Sequence, residues 1–493
     1  MPKKLKTISV LIFLGLGFLV RLYKIDNPVA DWHSHRQADT ASVTYNFFKN
    51  GINFFVPKYH DLSNVQSGID NPQGYRMVEA PIYNISSLLV HRLAGTFNKN
   101  IPLDKSSRLT SILFSEISAL LIFLICKKFT NNFSASLLSM GVFLFLPFNI
   151  YYSRAILPEN AAITFMLASF LIFNKSTLLS AVFISLSILC KPYTALIAFP
   201  VLLYLSFQKF RHLINIKSLL SLCLFGIISL VPFLLWRKWI SQFPEGIPVN
   251  AWLFNSNTTP FLPEWYRGYN LTFFNKLVAF RPFWFKWLFF ERINKLILGS
   301  FGLIPLFLGF AYKKNHSQKI TLSLVFGILL YFIIVAQGNI QHDYYQSLII
   351  PSLSIITGFG YFYMANFVFK NKIISWISIF IVCLFSFYFS WDQVKTYYKI
   401  NNPTIVSAGE KLQELIPQNA LVVAPYNGDT AFLYQTKHSG WPTEIYDPNE
   451  LKLKHPDNPL YLVSVSFDKY TTDMADKFKT IYKNDQFIIL DLN

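Results

Sequence analysis

Long apolar segments separated by short basic ones constrain this chain more than any other feature of its sequence. A helix that crosses a bilayer needs about 20 apolar residues, and fewer when it is packed inside a bundle. We predict about eleven such helices, at residues 7–23, 108–126, 134–152, 158–173, 176–190, 193–208, 217–236, 294–312, 318–336, 347–368 and 372–390. Hydrophobic residues make up 53% of the chain and charged residues only 14%, which excludes an ordinary soluble protein.

The basic residues predict how these helices are oriented. Three lysines precede the first apolar run and no small-residue cleavage site follows it, so we expect a retained anchor with a cytoplasmic N-terminus. The loops that then face the cytoplasm are short and basic, as the positive-inside rule requires. They contain Lys127–Lys128, Lys175, Lys209–Lys217, Lys313–Lys314 and Lys370–Lys372. A further span at Ala80–Gly95 would reverse this pattern, so that stretch is predicted to be an interfacial helix on the outer surface.

The polar remainder of the chain is then predicted on the extracytoplasmic side. It comprises a long first loop, a short turn, an outer loop, a second turn and a C-terminal tail, at 24–107, 153–158, 237–293, Gly338–Gln346 and 391–493. In the tail we expect strands at Ala420–Ala424, Leu460–Ser466 and Phe487–Leu492, and a helix at Met474–Tyr482. The predicted fold class is therefore an all-α polytopic membrane protein, residues 1–390, followed by a small α/β extracytoplasmic domain, residues 391–493.

The strong positive charge of the chain does not by itself indicate a nucleic-acid-binding protein. The formal net charge is +18, which in a soluble protein would point to nucleic acid. Here the Lys and Arg residues punctuate apolar runs and form no basic stripe with interleaved aromatics, so we expect anionic lipids or a phosphate-bearing substrate and no nucleic acid. There is no Walker loop, dinucleotide-binding glycine motif, CxxC pair or nucleophile elbow.

The most informative polar stretch follows the first predicted span. Residues 31–40 read DWHSHRQADT and include Asp31, His33, His35, Arg36 and Asp39. Carboxylates and imidazoles can act as a base or bind a metal, and a guanidinium can clamp a phosphate. A solvated polar loop is the simpler interpretation, but clustered ionisable groups beside a membrane are costly without a function.

Other polar motifs share the predicted outer side. Glu79 stands two residues before Pro81 at the start of a helix, where a simple helix-start residue is the alternative. Arg154 and Glu159 flank a tight turn, where snorkelling and helix capping are the alternatives. Lys191 lies at a predicted outer helix junction, where the positive-inside rule disfavours a lysine. His342 and Tyr345 occupy the turn before the tenth predicted span. For His342 a surface histidine with its hydrogen bonds satisfied is the simpler interpretation.

At these motifs the chain resembles the polytopic glycosyltransferases of the GT-C fold. They include dolichyl-phosphate-mannose protein mannosyltransferases and bacterial aminoarabinose transferases of lipid A. In that family the long loop after the first helix carries an acidic residue close to an Arg, followed by a Glu just before a Pro-containing helix. Arg36 and Glu79-Ala80-Pro81 match these elements, and the stretch Arg154–Glu159 matches an outer acidic turn after the third helix.

The resemblance covers roughly residues 1–210 and the His342–Tyr345 turn, and it does not cover the tail. Each motif is short, so the specificity comes from their order and their shared side. The chain departs from the family at His33, because the family usually has Asp three residues before the Arg. The base is therefore open between Asp31, His33 and Asp39.

The resemblance implies an integral-membrane glycosyltransferase in the cytoplasmic membrane of a prokaryote. It would move a sugar by inverting displacement from a polyprenyl-phosphate donor to a glycan, lipid or protein acceptor on the extracytoplasmic face. Asp31, His33, Asp39 and Glu79 would be catalytic, and Arg36, Arg154, Lys191, His342 and Tyr345 would bind phosphate or sugar. His35, Glu79 and Glu159 would hold a divalent ion such as Mg, Mn or Zn. Trp265, Arg267, Arg281 and Trp284 would shape the acceptor side, although an interfacial aromatic belt explains the tryptophans equally well.

Two other function classes remain open from the sequence. A transporter or flippase of a lipid-linked sugar would need ionisable residues within several spans and internal pseudo-symmetry. Glu116 is the one carboxylate deep in a predicted span, and no internal repeat is evident. A non-catalytic membrane scaffold would tolerate the loss of Arg36 and Glu79.

Overall fold

The computed structural model describes residues 2–210, 216–254, 285–313 and 316–493. The chain forms two compact units. The helical unit comprises residues 1–23, 111–236 and 250–396, and the mixed unit comprises residues 24–110, 237–249 and 397–493. The boundary predicted at residue 390 separates a membrane domain from an extracytoplasmic domain, and it stays a prediction.

The helices of the described chain are, in order, α1 Lys3–Arg21, α2 Ser34–Asn50, α3 Ile82–Phe97, α4 Leu103–Thr130, α5 Phe133–Phe145, α6 Pro147–Tyr152, α7 Glu159–Ile172, α8 Thr177–Cys190, α9 Thr194–Phe210, α10 Ile216–Ile240, α11 Leu303–Ala311, α12 Ser317–Ile334, α13 Ala336–Gln341, α14 Ile350–Tyr363, α15 Lys372–Val394, α16 Pro403–Leu415, α17 Thr430–Thr436, α18 Pro448–Lys454 and α19 Lys469–Lys477. The strands are β1 Leu421–Val423, β2 Gly440–Trp441, β3 Leu460–Ser464, β4 Lys479–Lys483 and β5 Ile488–Asp491. Short 3-10 helices occur at Pro244–Gly246, Ala251–Phe254, Asp343–Ile349 and Lys395–Tyr398, and π-helices at Trp287–Ile297 and Met364–Val368.

Apolar helices occupy the segments in which the sequence predicts spans. Within the described residues, five stretches are long and apolar enough to cross a membrane, at Leu103–Thr130, Ile216–Ile240, Ser317–Ile334, Asp343–Val368 and Lys372–Leu415. Shorter apolar helices lie at Phe133–Phe145, Glu159–Ile172, Thr177–Cys190 and Thr194–Phe210. The predominantly helical fold is confirmed, while the count of about eleven spans stays a prediction.

The predicted span 294–312 is not one regular helix. The π-helix Trp287–Ile297 ends before α11, and Gly299 and Ser300 between them have φ values of 54° and 58°. A Cβ on Gly299 would lie 1.9 Å from the carbonyl oxygen of Ser386 on α15. The interruption therefore permits a close approach to α15 that a continuous helix with side chains would block.

Small residues also let other helices of the helical unit approach closely. A Cβ on Gly358 of α14 would lie 2.3 Å from the Cα of Ser139 on α5. The Ser139 hydroxyl oxygen lies 3.3 Å from the carbonyl oxygen of Ile355, also on α14. Since lipid supplies no hydrophobic force between helices, such close contacts provide the packing energy.

The mixed unit contains a five-stranded sheet in the order β2-β1-β3-β5-β4. β1 pairs in parallel with β2 and β3, while β5 runs antiparallel to both β3 and β4. The central strands are apolar on both faces, and Val422, Val463 and Ile489 are fully buried. The small α/β fold predicted for the tail is confirmed, because β1, β3 and β5 fall within the three predicted strands.

Two local predictions are wrong. The predicted helix Met474–Tyr482 ends at Lys477, because residues 479–483 pair with β5 as a lysine-bearing edge strand. The predicted turn Gly338–Gln346 is instead α13 followed by a 3-10 helix. The 31–39 cluster lies partly on a helix, since α2 begins at Ser34.

Gly440 provides a test of the sheet in the mixed unit. Its N–H donates to the carbonyl of His60 at 2.9 Å, and an added Cβ would lie 1.7 Å from the carbonyl oxygen of Val422. We expect Gly440→Ala to lower the free energy of unfolding by about 2 kcal/mol or more. Thermal unfolding of the purified protein measures this, with Gly95→Ala as the control because no atom lies within 4 Å of that Cβ. Equal stability of the two variants would contradict the described strand pairing.

Candidate active site

The N-terminus of α2 carries the most unusual backbone of the predicted cluster. His33 is the N-cap residue, with φ 54° and ψ 38° in the left-handed region. Non-glycine residues adopt this conformation rarely, and when they do they concentrate at functional sites. The half-buried ring of His33 lies 5.0 Å from that of Trp32 and 5.8 Å from that of His35, measured between centroids.

Arg36 and Glu79 form a close ion pair. Arg36 Nη2 lies 2.5 Å from Glu79 Oε1, and the two side chains are 10% and 13% exposed. The partners come from the first turn of α2 and from the segment before α3. The structure thus brings together two of the predicted site residues that are 43 positions apart in the sequence.

Asp39 is buried in a network of four side chains. Its Oδ2 lies 2.8 Å from Arg76 Nη2, and its Oδ1 accepts a hydrogen bond from the Thr430 hydroxyl at 2.7 Å. Gln66 Nε2 approaches the two oxygens at 3.4 and 3.3 Å. Arg76 also lies over the ring of Tyr59, 5.2 Å from its centroid.

Asp31 is more deeply buried than the other acidic candidates. Its side chain and that of Arg108 are both 0% exposed, with 3.4 Å between Asp31 Oδ2 and Arg108 Nη2. Gln37 donates to the other Asp31 oxygen at 2.8 Å. Because solvent does not reach this ion pair, it stabilises the turn before α2, and neither carboxylate oxygen of Asp31 is accessible to a substrate.

His35 is held in its neutral form. Burial is the main cause that lowers its pKa to about 4, and His33, Arg36 and Arg76 add to the lowering while Asp39 opposes it. At neutral pH the imidazole therefore has one nitrogen that can accept a proton.

A second cluster lies within the helical unit, where Lys191 meets Glu159. Lys191 Nζ is 2.7 Å from Glu159 Oε1, and the two side chains are 4% and 2% exposed. The ammonium group also lies 5.3 Å from the ring centroid of Tyr345 and 5.8 Å from that of Tyr344. Residues from α7, from the α8–α9 junction and from the 3-10 helix after α13 are thus brought together.

Neighbouring residues of the helical unit extend this cluster. Tyr152 donates a hydrogen bond of 2.5 Å to Asp343, and Arg292 Nη1 lies 3.9 Å from the other Asp343 oxygen. The predicted residue Arg154 is fully buried, with its guanidinium over the ring of Tyr151. His342 stacks on Tyr344 with 5.5 Å between centroids.

The predicted metal ligands do not form a metal site. Among the described residues, no group of three or more His, Cys, Asp or Glu side chains is arranged to hold a metal ion. Glu79 and Glu159 each contact a cationic side chain instead, and such a partner competes with a metal for the carboxylate. The pairing of Glu79 with Arg36, and of Glu159 with Lys191, thus explains why the set of His35, Glu79 and Glu159 does not fit a metal.

Several residues of these networks were missed at the sequence level. Arg76, Arg108 and Thr430 each contact a predicted site residue, although no short motif contains them. Arg108 did carry a signal, because an Arg at the head of a predicted span requires a partner. The predicted acceptor-side residues Trp265, Arg267, Arg281 and Trp284 lie outside the described residues, as do Arg211 and Lys314 of the basic loops.

Comparisons with known proteins give consistent matches. The family described as dolichyl-phosphate-mannose-protein mannosyltransferase matches residues 88–236. The apo structure of ArnT from Cupriavidus metallidurans matches with 11% identity and a TM-score of 0.63, over 98% of this chain and 98% of ArnT. This chain has the fold of ArnT. The GT-C fold that the sequence resembles is thereby confirmed.

Further structures support the same fold. ArnT from Cupriavidus metallidurans bound to undecaprenyl phosphate matches with 11% identity and a TM-score of 0.59, over 98% of this chain and 97% of ArnT. The archaeal oligosaccharyltransferase AglB from Archaeoglobus fulgidus, in complex with an inhibitory peptide and a dolichol-phosphate, has 11% identity and a TM-score of 0.51. That match covers 92% of this chain and 69% of AglB. A comparison with curated protein sequences gives no match.

The buried His60 predicts a measurable pH dependence of stability. Its Nδ1 lies 2.6 Å from the Ser42 hydroxyl, and burial, with smaller contributions from Lys437 and His438, lowers its pKa to about 3. Between pH 6.5 and pH 3 an unfolded histidine binds a proton that the folded one does not. His60 therefore removes up to about 1.4 kcal/mol of stability for each pH unit of acidification in this window.

We expect the Tm of the wild type to fall more steeply between pH 7 and pH 5 than that of His60→Gln. The comparison is made against the variant because burial raises the pKa of Asp61 and of Asp429 to about 6, which favours the folded state as the pH falls below 6. Parallel Tm curves would show that His60 is not buried in its neutral form.

Proposed function

We propose that this protein is an integral-membrane glycosyltransferase that uses a polyprenyl-phosphate sugar as its donor. The proposal rests on one observation above all: the ArnT fold extends over nearly the whole chain, and buried ion pairs lie at the motifs shared with that family. ArnT has been solved bound to undecaprenyl phosphate, which supports the same class of lipid here. The transfer is proposed to occur on the extracytoplasmic face of the membrane, to a glycan, lipid or protein acceptor.

Lys191 is the proposed anchor for the donor phosphate. An ammonium group is a compact positive charge with three N–H donors, which suits it to bind phosphate oxygens. Glu159 and the rings of Tyr344 and Tyr345 hold the group in one position. A cation fixed in this way stabilises the negative charge that develops on the phosphate when the sugar leaves, without reorganisation during the reaction.

Arg36 is proposed to bind a substrate oxyanion. Its bond to Glu79 orients the guanidinium, a planar group that meets oxyanions in a two-pronged geometry. Glu79 is then proposed to orient Arg36, and not to hold a metal. No step of the proposed reaction depends on a metal ion.

His33 is the proposed base that activates the acceptor. Of the three candidates, Asp31 is sealed against Arg108 and Asp39 is engaged by Arg76 and Thr430, whereas His33 is only half-buried. A base must come within hydrogen-bond reach of the hydroxyl that it deprotonates, which favours the more accessible group. His33 also occupies the position at which the family usually has an acidic residue.

In the proposed reaction, the acceptor oxygen attacks the anomeric carbon of the sugar. The bond between that carbon and the phosphate oxygen breaks as the new glycosidic bond forms, which inverts the anomeric configuration. The acceptor proton passes to His33, and the bonding electron pair departs with the polyprenyl phosphate. A phosphate is a good leaving group, so cations suffice and no general acid is required.

The proposal predicts the behaviour of His33 variants. Purified protein in vesicles is incubated with radiolabelled undecaprenyl-phosphate sugars and an envelope extract of the source cells as acceptor. We expect transfer by the wild type and a fall of about 10²-fold or more in kcat for His33→Ala. His33→Asp should recover part of that loss, because a carboxylate can also accept the proton.

His91→Gln is the matched control, since His91 lies on α3 in the same unit and contacts Ser106. Full activity of His33→Ala would exclude His33 as the base. No transfer by the wild type from any of the tested donors would favour a transporter or a scaffold instead.

A further inference from the structure

The C-terminal sheet domain contacts the segment that carries the proposed base. The backbone N–H of Asn401 donates to Ala30 at 2.8 Å, and its side-chain amide donates to the Asp31 carbonyl at 3.1 Å. The ring of Trp32 stacks on Tyr397 with 4.8 Å between centroids and 13° between planes. The backbone that leads into His33 is therefore held by residues of the tail.

The tail also contacts α2 beyond His33, through Thr430. The Thr430 hydroxyl lies 2.7 Å from Asp39 Oδ1 and 3.3 Å from the carbonyl of His35. A hydroxyl has one hydrogen, and the shorter contact to a charged oxygen is the stronger one, so Asp39 is the acceptor. One side chain of the tail thus touches the two turns of α2 that follow the proposed base.

Thr430 is itself firmly placed. It is the first residue of α17, which is capped by Asp429 through a hydrogen bond of 2.7 Å from the Ala431 N–H. The following residues Phe432 and Leu433 are fully buried in the core of the sheet domain. A hydroxyl on such an element has little freedom, and so it can fix the orientation of the carboxylate that it contacts.

The hydroxyl completes the coordination of Asp39. Arg76 occupies Oδ2 at 2.8 Å, and without Thr430 the other oxygen retains only the long contact to Gln66 at 3.4 Å. If only one oxygen of Asp39 is tightly bound, the carboxylate can rotate toward Arg76 and shift α2 in the same direction. The position of His33 and the environment of His35 would change together.

We propose that Thr430 is a positioning residue of the active centre, by which the C-terminal domain holds Asp39 and sets the orientation of the α2 segment that begins at His33. This inference rests on the proposed function and gives the C-terminal domain a part in it. Thr430 acts through Asp39, and it does not touch substrate. Loss of its hydroxyl slows the chemical step without weakening the binding of the donor.

The experiment compares three variants of the full-length protein in the same transfer assay. Thr430→Val removes the hydroxyl at nearly constant volume, and Thr430→Ser retains it. Thr436→Val is the matched control, since the Thr436 hydroxyl is buried on the same helix but donates to the carbonyl of Leu433. We expect a fall of about tenfold in kcat for Thr430→Val with an unchanged KM for the undecaprenyl-phosphate sugar.

Thr430→Ser should restore kcat, and Thr436→Val should remain as active as the wild type. If Thr430→Val does not fold, Thr430→Ala takes its place, because it leaves space without inserting an apolar group beside Asp39. An unchanged kcat in the folded variant, or an equal loss in Thr436→Val, would overturn the inference while leaving the proposed function intact. A wild type without activity on any donor would instead overturn the proposed function itself.

Discussion

The pairing of buried charges is the constraint on which the described structure depends. Arg36 meets Glu79, Arg76 meets Asp39, Arg108 meets Asp31, and Lys191 meets Glu159. Removing one partner of such a pair leaves a buried charge uncompensated, which costs about 3–5 kcal/mol. The fold must therefore bring together residues that are far apart in the sequence, and each unit is held by the pairs that it contains.

The pairs also fix the cations to which the proposed function assigns the binding of substrate oxyanions. A charge that is fixed before the reaction contributes more to catalysis than one that must reorganise as the reaction proceeds. Lys191 and Arg36 are fixed in this way by their carboxylates and by aromatic or helical neighbours. His33 contrasts with them, because it is half-buried and has a strained backbone. Partial exposure and a strained backbone thus distinguish the proposed base, His33, from the buried cations Lys191 and Arg36.

The sequence predicts the architecture better than it predicts the contacts. The apolar runs predict the helical segments, since a run of such length has few alternatives to a buried or membrane-embedded helix. Short runs rich in β-forming apolar residues similarly predict β1, β3 and β5. The sequence does not predict the break at Gly299, because the break depends on the close approach of Ser386, a residue remote in the chain.

In the candidate site, too, the sequence indicates the residues better than it indicates their contacts. Arg36, Glu79, Glu159 and Lys191 could be selected from local motifs, because ionisable residues beside apolar runs are unusual. The sequence suggested His35, Glu79 and Glu159 as metal ligands, but it did not indicate that Glu79 and Glu159 contact Arg36 and Lys191. A carboxylate next to a helix start looks the same whether it binds a metal or an arginine. Only the fold shows that Arg36 is the partner of Glu79 and that Thr430 reaches Asp39 from nearly 400 residues away, a separation of 391 positions.

The central claim is that a buried cation of the helical unit holds a lipid-linked phosphate. Binding of undecaprenyl phosphate to the purified protein tests this claim most directly. The informative variant is the double substitution Lys191→Met and Glu159→Gln, because it removes both charges of the pair at once. Arg21→Met with Glu116→Gln is the control, since it neutralises another pair of the same unit, 3.7 Å apart. The account predicts that the wild type and the control bind undecaprenyl phosphate with similar affinity and that the first double variant binds it at least about tenfold more weakly. Equal affinity of all three proteins would contradict it.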